Sequence, residues 1–270
     1  MESSKIEIVN KDLKPRAITQ VLFDFDGTIS LIREGWQGVM IPMMLQELLS
    51  APEHESEEEL RHIVKNYVDE LTGKQTMYQM LRFVEEIKKR GGTPLTALDY
   101  KHQYLQLLEG HIANRIKDLE AGAEPDKYMV KGAREFLEAL KERGIVCYLA
   151  SGTDQKFVER EAKLLQVFDF FKSVWGAQDD YLKFSKKIAM ERIIKENEVK
   201  GENLAVFGDG YVEMEVAREH GAIAVGVATD EIKGGIDDWK KQRLINAGAD
   251  LIIPDFILKS EIISLLRENV

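Results

Sequence analysis

The chain has 270 residues, 44% of them apolar and 31% charged, with a formal net charge of -10; that is globular composition and excludes a disordered polymer. The acidic balance argues against a nucleic-acid partner, which clustered Lys and Arg would have to hold. No apolar run approaches the roughly 18 residues needed to cross a membrane. Any phosphate site must therefore draw its positive field locally, from a lysine, a metal or backbone N–H groups.

The opening "MESSKIEIVNKDLKPR" lacks the basic-then-apolar layout of a signal peptide. The lone cysteine, Cys147 in "GIVCYLAS", reads as a small core hydrophobe. A cytoplasmic protein is the expectation.

The first apolar run, "AITQVLFDF" at 17–25, suits a strand buried on both faces, yet it ends in Asp24 and Asp26 before the turn Gly27-Thr28. From 32 to 125 only helical stripes follow. In "EGWQGVMIPMM", Trp36, Met40, Met43 and Met44 either pack between helices or line a substrate pocket. "EELRHIVKNYVDELTG" carries Leu60, Ile63, Val64, Tyr67, Val68 and Leu71 at helical spacing, and "TMYQMLRFVEEIKKRGG" and "YKHQYLQLLEGHIANRIKDL" repeat the pattern. "GKQT" at 73–76 is no P-loop, because Val68 stands where a glycine is required and no strand precedes it. The histidines at 54, 62, 102, 111 and 220 lack metal-ligand spacing and belong on helix surfaces.

Beyond 125, strands alternate with helices. "VKGAREFLEALKERG" sets Phe136, Leu137 and Leu140 on one side and stops at Gly144; "GIVCYLAS" (144–151) is the next strand. "SKKIAMERIIKENEVKG" opens on the N-cap Ser185 and places Ile188, Ala189, Ile193 and Ile194 inward. "NLAVFGD" (203–209), "AIAVGVA" (222–228) and the weaker "ADLIIPD" (249–255) complete the strands, with "EMEVAREHG" linking two of them. The pattern predicts an α/β fold, a Rossmann-like doubly wound parallel sheet in a core of residues 1–31 and 126–270, with an all-α insertion at 32–125.

Open α/β sheets bind ligands at the carboxyl ends of their strands. Those ends carry Asp24, Asp26 and Thr28, then Ser151, Gly152 and Thr153, then Asp209 and Gly210. Carboxylates so gathered repel unless a cation lies among them, and an oxygen-only donor set favours Mg²⁺ over Zn²⁺.

"DFDGT" at 24–28 resembles the first motif of the haloacid dehalogenase-like superfamily of phosphohydrolases. "YLASGTD" at 148–154 resembles the second, "FSKKIAMERI" the third and "AVFGDGYVEME" the fourth, in the family's order. The resemblance implies a Mg²⁺-dependent phosphatase acting on a small phosphorylated metabolite, with the helical insertion as a cap. Asp24 would be the nucleophile and a metal ligand; Asp26 the acid and base, its backbone carbonyl reaching the metal if it lies in the turn. Thr28, Ser151, Gly152 and Lys186, with Lys183 in reserve, would bind phosphate. Asp209 would hold the metal, with Glu213 doing so directly or through water; Glu213 stands where the family commonly has aspartate. A phosphomutase shares these residues, and a phosphometabolite-binding protein without turnover remains a third reading. Dehalogenation would leave Asp26 without a task.

Overall fold

The computed structural model describes residues 5–178 and 185–267. A short strand β1 (Glu7–Ile8) precedes β2 (Gln20–Phe23), and four helices follow: α1 (Gln37–Leu48), α2 (Glu57–Glu70), α3 (Thr76–Lys89) and α4 (Ala97–Glu120). Then come α5 (Ala133–Glu142), β3 (Val146–Asp154), α6 (Gln155–Leu164), β4 (Phe171–Ala177), α7 (Lys186–Glu196), β5 (Leu204–Gly208) and α8 (Tyr211–His220). The chain closes with β6 (Ile223–Val227), α9 (Asp238–Ala247), β7 (Leu251–Ile253) and α10 (Lys259–Leu266). Contacts divide it into two compact units, residues up to 34 with those from 118 onward, and residues 35–117.

In the first unit the sheet runs β1-β7-β6-β5-β2-β3-β4, parallel throughout except for β1 against β7. The order reverses at β2, whose Phe23 lies level with Leu149 of β3 and Phe207 of β5. The ends of these three strands therefore finish side by side at the switch point, where such sheets take ligands.

Strand side chains alternate between faces, and the alternation sorts the core. Phe23 and Phe207 stack at 5.1 Å between ring centres and join Phe136 of α5 and Phe256 on one face. Leu22 and Val206 face the other way, into a cluster with Met190 and Ile193 of α7 and Met214 and Val216 of α8. Cys147 is buried, and burial pushes its thiol up to about 12.

The helical unit is built from amphipathic stripes. Leu60, Val64, Tyr67 and Val68 of α2 are buried, whereas Ile63 and Leu71 are half-buried at the edge of the stripe. Ser56 and Glu59 form a reciprocal capping box that satisfies two of the backbone donors at the start of α2. Met44 accepts the Tyr67 hydroxyl at 3.1 Å, and Met40 is also buried, so for these two the packing reading of the methionine stripe holds inside the unit.

Two strands depart from the sequence reading. β4, "FKSVWGA", carries Lys172 and Ser173 within it and half-buried residues at its centre, as an edge strand does. β1 is too short to show a period. Ile188, expected inward, is 41% exposed; α7 instead buries Lys186, Ala189, Met190, Ile193 and Ile194.

Candidate active site

Asp24 follows the last residue of β2, and its N–H still pairs with the Phe207 carbonyl at 2.9 Å. By strand alternation its side chain shares the side of Leu22, against which α7 and α8 pack. There Lys186, the first residue of α7, sets its Nζ 2.8 Å from Asp24 Oδ1 and 2.6 Å from Glu213 Oε1. Asp24 and Lys186 are almost free of solvent, and Glu213 is fully buried. The Thr28 hydroxyl makes a long contact of 3.5 Å to Asp24 Oδ2.

Glu213 reaches this point because Gly208 has no side chain. A Cβ there would lie 2.7 Å from the Glu213 Cβ, so the stem of Glu213 passes where any other residue would stand. Oε2 of Glu213 has no hydrogen-bond partner. Glu215, two residues on, is exposed.

The strand ends before Asp26, which lies in a tight turn where the N–H groups of Ile29 and Ser30 both return to the Phe25 carbonyl. Asp26 Oδ2 accepts from the Thr153 hydroxyl at 2.8 Å and the Ser151 hydroxyl at 3.2 Å. Gly152 lies between those two residues, half-buried at the end of β3. Asp26 Oδ1 has no hydrogen-bond partner, and the Arg33 Nε stands 3.9 Å away. Arg33 is held by two hydrogen bonds of 3.0 and 2.7 Å to the fully buried Glu161. Burial pushes Glu161 above the usual carboxylate range, and Arg33 opposes that shift.

Asp209 follows β5, and its carboxylate lies against Gly27, whose φ of +75° carries the turn past it. Asp209 Oδ2 is 3.0 Å from Lys240 Nζ, and the same ammonium is 2.5 Å from Glu231 Oε1. Strand ends thus bring together Asp24, Asp26, Thr28, Ser151, Gly152 and Asp209, with Lys186 and Glu213 from the first turns of α7 and α8. Lys183 lies outside the described residues. Glu231 and Lys240 were not anticipated. The strand-end rule reaches Glu231, which comes four residues after β6, and Lys240 repeats the first-turn placement of Lys186.

A family model of haloacid dehalogenase-like hydrolases matches residues 18–221. The chain belongs to that family. Solved structures carry the same fold at low identity. A predicted phosphoglycolate phosphatase from Haemophilus somnus 129pt is 18% identical, with 91% of this chain and 98% of that one covered and a TM-score of 0.59. A predicted phosphatase from Clostridium acetobutylicum is 17% identical, with 92% and 99% covered and a TM-score of 0.60. A variant of CbbY from Rhodobacter sphaeroides, in complex with xylulose-(1,5)bisphosphate, is 17% identical, with 88% and 95% covered and a TM-score of 0.58. No curated protein matches the chain in sequence.

The charges of this hydrolase's site do not balance from within. Asp24, Glu213, Asp209 and Glu231 share two ammonium groups, Lys186 and Lys240, while Asp26 has as its cation only Arg33 at 3.9 Å, itself held by Glu161, and two buried carboxylate oxygens lack hydrogen bonds. Burial pushes Asp24 well above the usual carboxylate range; Lys186 opposes this, while Glu213 and Asp209 add to it. Burial alone would lower Lys186, but Asp24 and Glu213 hold it above its ordinary value. An excess of hard oxygen donors suits a divalent cation such as Mg²⁺. Among the described residues no three acidic, His or Cys side chains are grouped as a ready cage.

Proposed function

We propose that this hydrolase is a phosphomonoester phosphatase, with Asp24 as nucleophile, Asp26 as acid and base, and Mg²⁺ as cofactor. The observation that carries the reading is a nearly solvent-free Asp24 paired at 2.8 Å to Lys186, two residues before a second aspartate held by two hydroxyls. A carboxylate so placed attacks phosphorus from a fixed position, without shedding a water shell first.

Asp24 forms a P–O bond as the ester P–O bond breaks, and the departing oxygen takes its proton from Asp26. Water then opens the aspartyl-phosphate, giving its proton to Asp26 and restoring Asp24. Lys186, the Ser151 and Thr28 hydroxyls and the Gly152 N–H hold the phosphoryl oxygens. The Asp24 carboxylate, the Asp26 backbone carbonyl, Asp209 and Glu213, directly or through water, would hold the ion. Bound there, the ion supplies positive charge that masks the phosphate so an anionic nucleophile can approach it.

The substrate class is a small phosphorylated metabolite, and sugar phosphates are the first to test, given the bisphosphate bound by CbbY. The test is phosphate release from p-nitrophenyl phosphate and from a panel of sugar phosphates, with and without Mg²⁺. Asp24→Asn should cut turnover at least about a thousandfold; full activity in that variant removes the nucleophile. Isomerised product without free phosphate makes the protein a phosphomutase, and tight binding without turnover makes it a sensor.

A further inference from the structure

Lys240 is the third residue of α9, a place where the helix dipole disfavours a cation. Its backbone N–H is taken by the N-cap Asp237 at 2.9 Å, yet its side chain turns to Asp209 and Glu231. Asp209, Glu231 and Lys240 are all largely buried, with side chains 13%, 17% and 13% exposed.

Glu231 is delivered by a closed loop. Asp230 N–H bonds the Gly235 carbonyl, Gly234 N–H bonds the Asp230 carbonyl, and the Asp230 carboxylate accepts from the N–H groups of Ile232 and Lys233. Asp237 N–H returns to Ala228 and ties the loop to the end of β6. The loop sets Glu231 Oε1 3.1 Å from where a Gly27 Cβ would stand, beside the turn that follows Asp26.

We propose that Lys240 is a built-in competitor for Asp209, held in place by Glu231, and that the pair sets how tightly the site takes its divalent cation. The inference rests on the metal-dependent reading above. Lys240 is a positioning residue: it acts through Asp209, and an ion using that carboxylate must draw it from the ammonium. Removing Lys240 frees Asp209. Removing the Glu231 charge leaves the ammonium wholly on Asp209 and also weakens the negative field.

The experiment is direct Mn²⁺ and Mg²⁺ titration of the full chain by calorimetry, with Mn²⁺ also followed by electron paramagnetic resonance. Circular dichroism checks that each variant folds. Lys240→Met should tighten Mn²⁺ by about tenfold, and Glu231→Gln should weaken it several-fold. The double variant separates competition from simple charge, since it restores the net charge of the wild type. Competition keeps the double variant several-fold tighter than wild type. A double variant at wild-type affinity, or a Lys240→Met protein no tighter than wild type, overturns the proposal alone. Failure of every form to take up either ion overturns it together with the metal-dependent reading.

Discussion

Each of the two units carries a knot of charge, and the knots differ in balance and in burial: in the helical unit's knot only Glu86 and Arg90 are buried. In the helical unit Glu86 receives Arg82, Lys89 and Arg90 at 2.7 to 2.8 Å, and Arg90 also forks onto Glu55 at 2.6 and 2.7 Å. With Arg82 also 3.9 Å from Glu85, three cations serve three carboxylates, and every carboxylate in the knot has a cation. Burial raises Glu86, but its cations outweigh that and hold it below the usual range; the Arg90 hydrogen bonds lower Glu55 likewise. In the other unit four carboxylates share two lysines, with Asp26 beside them, and Asp24 and Glu231 are pushed up by burial. A satisfied knot ties helices together. An unsatisfied one is what the proposed cation and phosphate would neutralise.

The comparison is most severely tested at Lys186. Replacing it by Met leaves Asp24 and Glu213 buried without their shared ammonium, and should lower stability by about 3–5 kcal/mol in chelator; urea unfolding with and without Mg²⁺ measures how much an ion returns. Glu86→Gln should cost about 1–3 kcal/mol, chiefly because the buried Arg90 loses its buried partner while Arg82 and Lys89 are largely solvated, and Mg²⁺ should leave that loss unchanged. Gly27→Ala combines a positive φ with a Cβ driven into the Asp209 carboxylate, and should cost about 2 kcal/mol while weakening Mn²⁺ uptake in the same titration.

Asp24→Asn should do the reverse of Glu86→Gln, raising the melting temperature of the metal-free protein near neutral pH while abolishing turnover. The sign follows from linkage. A raised Asp24 means the folded state binds the extra proton, so its contribution is full below the ordinary carboxylate pKa and is lost as pH rises through the raised value. Glu55 and Glu86 are lowered, so theirs is present above the ordinary value and lost as pH falls through the lowered one. Melting curves from acid to neutral pH should therefore lose the alkaline-side decline in Asp24→Asn and the acid-side decline in Glu86→Gln. The smallest effect belongs to Ser56→Ala, which removes the capping box of α2 for about 1 kcal/mol and should leave metal uptake untouched.

Strands β2, β3, β5, β6 and β7 were legible because the stretch of each that is covered on both faces is a continuous apolar run. β4 was not, since the polar Lys172 and Ser173 are tolerated at a sheet edge, and neither was α6, whose run "QKFVEREAKL" is largely polar. At the site, "DFDGT", "ASGTD", the lysine after Ser185 and "GDGYVE" could be read because each lies beside its own strand or helix signal. The Arg33–Glu161 pair could not, because 128 positions separate its members and neither residue type is rare on a helix surface.

By itself, the sequence determined the family, the order of the apolar strands and most helices, and which acids stand at strand ends, because these are local properties of periodicity and turn chemistry. Tertiary structure alone decided that Lys186 serves two carboxylates, that Glu213 passes over Gly208, and that Lys240 turns to Asp209 and Glu231. Those contacts depend on where the strand register and helix packing place side chains far apart in the chain, and on a buried charge balance that no stretch of residues carries alone.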